Sequence, residues 1–123
     1  HHTAPINALY GLHEALLILK EEGLENSWKR HKDNHLLLKQ GLEKLNIGFL
    51  VDEEDRLPQL NAIYIPDDVN DLETRQRLLN DFNLEIGAGL GVLAGKVWRI
   101  GLMGQSSNKN NIEHCLNSLS KAI

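Results

Sequence analysis

Residues 87–104 read GAGLGVLAGKVWRIGLMG and place a short apolar strand between two glycine-rich turns. Side chains of a strand alternate between its two faces. One face of this strand carries Lys96, Trp98, Ile100 and Leu102, and the other carries Val97, Arg99 and Gly101. We expect the apolar residues of the first face to enter the core. The second face holds a permanent cation between a small side chain and a residue with none.

Arg99 is the candidate functional residue of this strand. Its small neighbours leave room around the guanidinium, which can grip a planar anion such as a carboxylate through two parallel hydrogen bonds. Turns at strand ends are common positions for binding sites. An ion pair with a nearby acid such as Glu85 explains the same pattern, and the spacing leaves both interpretations open. The binding interpretation requires an open hollow beside Arg99.

The composition limits the classes of protein that this chain can belong to. With 123 residues, 41% of them apolar, the chain can form one domain with a real core. A net charge of −4 argues against a nucleic-acid partner. No apolar run approaches the roughly 20 residues that span a bilayer, so no membrane partner is expected. The single cysteine, Cys115, excludes an intrachain disulfide and suits a reducing compartment such as the cytoplasm.

The first half of the chain is predicted to form a helical hairpin. Thr3 caps the first helix, and Pro5 stands in its first turn. Gly23 ends or bends that helix, and the second helix stops at residues 46–48. Each helix carries one apolar stripe at steps of three and four, formed by Leu9, Leu12, Leu16 and Leu19, then by Leu24, Trp28, His31, His35, Leu38, Leu42 and Leu45. Such a hairpin should pack on a sheet or on a partner chain.

The second half mixes strands with helices. Besides the Arg99 strand, strands are predicted at residues 48–51, 59–65 and 83–86. Asn70 and Glu73 form a capping box, and the helix that follows is predicted to bury Leu72, Leu79 and Phe82. The last helix is capped near Ser106 or Ser107 and is predicted to bury Ile112, Leu116, Leu119 and Ile123. This order predicts an α+β fold in which long helices pack on a small, mainly antiparallel sheet.

The glycine run at residues 87–91 is interpreted as a tight, adaptable loop. A dinucleotide-binding loop follows a strand and opens a helix, with an acidic residue about 20 positions further on. Here another strand follows instead. We therefore assign no phosphate to this loop.

His31 and His35 stand four residues apart on one helix face, a spacing that can hold a metal. The chain offers no obvious third ligand, so we interpret both as half-buried, hydrogen-bonded histidines and assign no metal. Cys115 lies on the apolar side of the last helix and is interpreted as a small core residue rather than a nucleophile. The residues alone identify no catalytic acid, base or nucleophile.

Thr3 has two interpretations. As a helix cap it satisfies backbone donors only. A helix start with free N–H groups and a hydroxyl is also an anion site, and the sequence does not separate the two roles.

Four segments occur together in this chain: His1–Pro5, Glu22–Asn26, Arg56–Pro58 and Gly89–Gly104. In this order they resemble the C-terminal part of the alanine–glyoxylate and serine–pyruvate aminotransferases, which are class V, fold-type I enzymes that use pyridoxal 5'-phosphate. The resemblance covers the chain from its first residue to near its last. It implies that residues 1–123 form the small C-terminal domain with its leading linker helix, and that the large cofactor domain is absent from the chain. It also implies that the two leading histidines are native rather than a tag.

The resemblance implies roles for two residues. Arg99 matches the arginine that binds the α-carboxylate of the amino-acid or keto-acid substrate. Thr3 matches a threonine that binds the cofactor phosphate in the active site of the neighbouring subunit, so a homodimer is expected. The lysine that forms the Schiff base lies upstream in the family, and Lys96 is not assigned in its place because it points away from Arg99. The segment alone is expected to be inactive.

The implied function of the intact protein is transfer of an amino group from alanine or serine to glyoxylate or pyruvate. A related transaminase, such as a 3-hydroxykynurenine transaminase, differs from it by upstream residues. From another class, the alternative is a non-catalytic module that binds small carboxylates or a partner protein. In a eukaryote, the enzyme could also reside in a peroxisome or mitochondrion.

Overall fold

The computed structural model describes residues 3–123. His1 and His2 lie outside the described residues, as does the expectation that they are native. Residues 3–123 form four helices, α1 (Ile6–Glu22), α2 (Leu24–Lys44), α3 (Asp71–Phe82) and α4 (Lys109–Ala122), and three strands, β1 (Leu60–Tyr64), β2 (Gly87–Ala88) and β3 (Val97–Gly101). None of these helices has the length and apolar character that a bilayer crossing requires.

The chain divides into two compact units, His1–Arg30 and His31–Ile123. The first contains α1 and the beginning of α2, and the second contains the rest of α2, the sheet, α3 and α4. The expected division into a small domain with a leading linker helix stays a prediction.

In the first unit, α1 ends where the sequence predicts. Gly23 adopts a φ of 85°, which favours glycine, and its N–H donates to the Leu19 carbonyl at 2.9 Å. No residue of α1 is buried, and the stripe residues Leu9, Leu12 and Leu16 are 49–56% exposed. Residues 3–123 therefore leave the apolar stripe of α1 uncovered.

The prediction that Thr3 caps α1 is wrong. Pro5 takes the cap position, and no side chain there bonds to the helix. The reason is local, because the Ile6 N–H already donates to the Ala4 carbonyl at 2.8 Å. Proline also presets a φ close to the helical value and has no N–H of its own to satisfy. Thr3 thus stands outside the helix.

In the second unit, β3 is the central strand of an antiparallel sheet with the order β1-β3-β2. Arg99 is opposite Ala62 on β1 and opposite Gly87 on β2. The predicted strand at 48–51 is reduced to one bridge, between Phe49 and Ile63.

The predicted strand at 83–86 is wrong, because these residues end α3 instead. Asn83 adopts a left-handed φ of 51°, and the Leu84 N–H donates to the Leu78 carbonyl at 3.0 Å. A left-handed residue after the last turn is a common way to close a helix. The chain is extended only from Gly87.

Helices α2, α3 and α4 cover one face of the sheet. The buried cluster on this face includes Leu38, Leu42, Ile63, Leu78, Trp98, Ile100, Leu102, Ile112, Cys115 and Leu119. The predicted inward residues of the Arg99 strand are thus confirmed. The predicted fold class, an α+β domain with helices packed on a small antiparallel sheet, is confirmed as well.

Helix α3 starts as predicted but buries a different side. The Asn70 side chain accepts a hydrogen bond from the Glu73 N–H at 3.1 Å. Of the three residues predicted to be buried, Leu72 and Leu79 are exposed and Phe82 is partly buried. The buried positions are Thr74 and Leu78.

One hydrogen bond explains which side of α3 is buried. The indole N–H of fully buried Trp98 donates to the Asp71 carboxylate at 2.9 Å. A buried indole N–H requires an acceptor. Asp71, Thr74 and Leu78 stand three and seven residues apart, so they share one side of the helix. Anchoring Asp71 to Trp98 therefore turns Thr74 and Leu78 inward.

Helix α4 is capped by Asn108, one residue after the predicted positions, and its side chain accepts from the Asn111 N–H at 2.9 Å. Ser107 is instead buried, and the Asn34 side chain donates to its carbonyl at 2.8 Å. Two of the four predicted inward residues, Ile112 and Leu119, are buried, Leu116 is partly buried, and Ile123 is exposed because it follows the last turn. Cys115 is a core residue, as predicted, and burial raises the pKa of its thiol to about 11.

We predict that Asp71→Asn lowers stability at neutral pH but not in acid. The Arg75 guanidinium, and then the Trp98 indole, lower the pKa of Asp71. Its charge therefore stabilises the fold at neutral pH, and this contribution is lost as the pH falls below about 4. An asparagine oxygen can still accept from Trp98, so the variant removes mainly the charge.

Thermal unfolding of the two proteins between pH 3 and pH 7 checks this expectation. Asp81→Asn in the same helix is the control, because Asp81 forms only an exposed pair with Arg77 at 3.7 Å. A stability difference for Asp71→Asn that stays constant over this pH range would contradict the role of the charge.

Candidate functional site

The candidate site lies on the face of the sheet that the helices leave open. Paired residues of antiparallel strands point to the same side. Leu60, Ala62 and Tyr64 of β1 therefore share the open face with Arg99. Leu60 and Tyr64 are exposed, and Arg99 is half-buried between them and β2. The prediction that Arg99 lies on the face of β3 that points away from the core is confirmed.

The Arg99 side chain runs across β2. Its Nε–H donates to the Ala88 carbonyl at 2.8 Å. A β-carbon placed on Gly87 would lie 3.4 Å from both the Cβ and Nη2 atoms of Arg99, so the glycine lets the side chain pass at close range. One hydrogen bond thus orients the guanidinium, which has four further N–H donors.

Those donors have no acidic partner within residues 3–123. Arg99 takes part in none of the ion pairs formed by these residues, and its side chain makes no hydrogen bond besides the one to Ala88. Glu85, the acid that the sequence offered as an alternative partner, is exposed and does not pair with it. The outer edge of the guanidinium can therefore accept an external anion in the bidentate geometry that carboxylates prefer.

Five cavities formed by residues 3–123 have linings that do not include Arg99, so none of these five is the hollow expected beside it. The cavity of about 380 Å³ near α4 is lined by Ile100 and Leu102, which belong to the opposite face of β3. A concave site around Arg99 would therefore need walls from outside these residues.

The glycine run packs tightly against β3, in agreement with its interpretation as a loop. The Gly89 N–H donates to the Val97 carbonyl at 2.9 Å. A β-carbon on Gly89 would lie only 2.0 Å from the Leu93 carbonyl oxygen, so no larger residue fits without a shift of the backbone. A short 3₁₀ turn, Gly91–Leu93, follows, and no helix opens there. The close packing fixes Ala88, whose carbonyl holds Arg99.

The two histidines of α2 tie that helix to the region around the C-terminal end of β3. The Nε2 atom of His31 accepts from the Gly104 N–H at 3.1 Å. The Nδ1 atom of His35 lies 2.7 Å from the Asn61 Oδ1 atom. Both rings are buried, more deeply than predicted, and both are hydrogen-bonded, as predicted. No group of three metal-ligating side chains occurs within residues 3–123.

Sequence reasoning missed Asn61 as part of this network. Asn61 is almost fully buried, and its Nδ2 atom donates to the Ile100 carbonyl at 3.4 Å. The available signal was its position in the predicted strand at 59–65, where alternation with Ile63 turns it toward the core. A polar side chain at an inward position requires buried partners.

Thr3, the other candidate, belongs to the first unit. It is exposed, and its hydroxyl has no partner within residues 3–123. The first turn of α1 contains no acidic residue to offset the positive end of the helix dipole. Its surroundings are thus compatible with an anion.

No family model matches this chain. Two curated relatives are similar to all of it. The alanine–glyoxylate aminotransferase of Rattus norvegicus is 39% identical over 124 residues, and the (S)-ureidoglycine–glyoxylate transaminase of Bacillus subtilis is 34% identical over 123 residues. The chain spans about 30% of the length of each relative.

A solved structure shows the same likeness in three dimensions. The alanine–glyoxylate aminotransferase of Nostoc sp. matches 99% of this chain with a TM-score of 0.94 and 47% identity, and the match covers 32% of that protein. The predicted resemblance to a segment of the alanine–glyoxylate aminotransferases is therefore confirmed.

We predict that Gly89→Ala destabilises the sheet, because the added methyl group collides with the Leu93 carbonyl. Overpacking of this kind costs about 1–3 kcal/mol, and it should appear as a lower free energy of unfolding in a denaturant titration. Gly48→Ala is the matched control, since a β-carbon there would lie 3.7 Å from the Tyr64 ring, an ordinary contact. Equal stability of the two variants would show that the loop adapts to the methyl group.

Proposed function

We propose that this chain is the C-terminal domain segment of a pyridoxal-phosphate-dependent aminotransferase. The intact protein would move an amino group from alanine or serine to glyoxylate or pyruvate. Arg99 would bind the substrate carboxylate, and Thr3 would contact the cofactor phosphate. The Schiff-base lysine is not assigned to this chain, which covers about 30% of the length of the relatives.

The observation that carries the proposal is the orientation of Arg99. Its Nε–H is bonded to a backbone carbonyl, and its other donors bond to no acid of residues 3–123. Amino acids and keto acids both carry a carboxylate next to the reacting carbon. One fixed guanidinium can therefore hold the amino donor in the first half of the reaction and the acceptor in the second. This shared requirement suits a transaminase.

Arg99 would act by positioning its ligand. A bidentate grip on the carboxylate removes rotation of the bound molecule and so fixes its α-carbon and amine. When bound, pyridoxal phosphate supplies an aldehyde for the amine and a ring that withdraws electrons from the α-carbon. The protein segment seen here would contribute orientation and charge only.

Thr3 would contribute a hydroxyl to the phosphate. Its exposed side chain and the uncompensated start of α1 support this role. We place Thr3 in the active site of a neighbouring subunit, so the enzyme would be a homodimer. The exposed apolar stripe of α1 supports burial of that helix in the assembly.

Glyoxylate is the better supported acceptor. The rat and Bacillus relatives differ in the amino donor that their names give, whereas both names include glyoxylate. A site that accepts different amino donors but one small acceptor must bind the carboxylate that all of these molecules share. Arg99 can do so, since a guanidinium that binds the carboxylate does not select for the rest of the molecule.

We predict that Arg99→Lys in the intact protein lowers kcat/KM for alanine and glyoxylate by about tenfold to a hundredfold. Lysine keeps the charge but loses the planar fork, and a charged hydrogen bond contributes roughly 1.5–3 kcal/mol. Steady-state kinetics with both substrates provide the measurement. Arg77→Lys is the control, because Arg77 is an exposed arginine on α3.

Unchanged kinetics for Arg99→Lys would remove Arg99 from the site. A purified intact protein that binds small carboxylates yet transfers no amino group from any donor would instead favour the non-catalytic module. The same assay with 3-hydroxykynurenine as donor distinguishes the proposed aminotransferase from a 3-hydroxykynurenine transaminase.

We predict that Thr3→Ala weakens retention of pyridoxal phosphate while leaving the stability of the cofactor-free protein almost unchanged. Thr3 caps no helix and has no partner within residues 3–123, so its removal should cost little in folding. Cofactor absorbance after dialysis and thermal unfolding of the cofactor-free protein provide the two measurements. Thr3→Ser should retain the cofactor, and full retention by Thr3→Ala would exclude the phosphate contact.

A further inference from the structure

The Met103 side chain reaches the open face of the sheet near Gly101, although Met103 is not part of β3. A β-carbon placed on Gly101 would point to the same face as Arg99, two residues away. That β-carbon would lie 3.2 Å from the Cε methyl group of Met103. The end of the Met103 side chain therefore lies over Gly101, two residues along β3 from Arg99. Two residues of a strand span about 6.8 Å.

The backbone of Met103 is fixed while its side chain is accessible. The Met103 carbonyl accepts from the Ser106 N–H at 3.1 Å and from the Ser106 hydroxyl at 2.7 Å. The next residue, Gly104, donates its N–H to buried His31. The Met103 side chain is nevertheless 51% exposed. A flexible apolar side chain thus extends from a fixed backbone position onto the face that carries Arg99.

The groups on this face favour different ends of a ligand. The guanidinium favours the carboxylate end of a small molecule, whereas the thioether and methyl group of Met103 favour an apolar end. Gly101 adds no side chain of its own, so the Met103 methyl group is the apolar group that covers this position of the face. A longer apolar group on the ligand would have to displace it.

We propose that Met103 determines substrate specificity by limiting the length of the side chain on a carboxylate held by Arg99. Two-carbon and three-carbon acids fit beside Met103, and longer ones collide with its methyl group. This inference rests on the proposed function, because it deepens the assignment of Arg99. It concerns the substrate side chain only and involves no chemical step at Met103.

Kinetics with donors of increasing length test the inference. Met103→Ala should raise the ratio of kcat/KM for 2-aminobutyrate to that for alanine about tenfold, since one methylene in a tight apolar site changes specificity at least that much. Met103→Leu, which keeps the bulk, should leave the ratio almost unchanged. Leu72→Ala is the matched control, because Leu72 is 55% exposed on α3, beyond the other face of the sheet. An unchanged ratio for Met103→Ala would overturn the inference.

A second measurement does not need turnover. Met103 is the single methionine of these 123 residues. Its ¹³C-labelled methyl resonance in the intact protein, assigned by its loss in Met103→Leu, should shift when propanoate is added. It should shift less with pentanoate, and Arg99→Ala should abolish both shifts.

The two experiments separate the inference from the proposed function. A protein that transaminates alanine while its Met103 methyl resonance ignores bound carboxylates would overturn the inference alone. A protein that neither transaminates nor binds carboxylates would overturn both. A resonance that responds to propanoate in a protein without transaminase activity would support the site and reject the enzyme.

Discussion

The structure of the second unit depends on the hydrogen bond between the Trp98 indole and Asp71. Trp98 is fully buried at the centre of β3, so its N–H requires an acceptor, and Asp71 at the start of α3 supplies one. This bond fixes both the side of α3 and the face of β3 that point toward the core. Because side chains of a strand alternate, the residue after Trp98 must face the other way. The exposure of the Arg99 guanidinium is thus a consequence of burying the indole.

Leaving Arg99 without an acidic partner costs little free energy only because this face of the sheet is open to water. Water reaches the half-buried Arg99 from this face, and the interaction of its guanidinium with an anion is then weak. Covering the face with other parts of a protein would remove that water and strengthen the attraction to a bound carboxylate. Since none of the five cavities described above includes Arg99, the site that we propose there would take its remaining walls from outside residues 3–123.

Alternation along β3 and the capping signal at Asn70 were sufficient to predict the Arg99 face, the small sheet and the start of α3. The buried side of α3 could not be predicted, because one tertiary hydrogen bond to Trp98 overrides a pattern in which Leu72 and Leu79 look equally suitable. The prediction that Thr3 caps α1 was wrong for a local reason, because Pro5 occupies the cap position instead. The lining around Arg99 could not be predicted either, because alternation along one strand does not say which other elements would form the walls of a hollow.

The buried face of the sheet also controls how well Arg99 can work. Precise binding needs a side chain whose own support does not move. His35 and Asn61 are buried against each other, and Asn61 donates to the Ile100 carbonyl, next to Arg99. His31 holds the turn that follows the same end of the strand through Gly104. The polar residues that resemble a metal site in sequence thus serve as clamps on β3, and they keep the guanidinium in register with Ala88 and with whatever anion it receives.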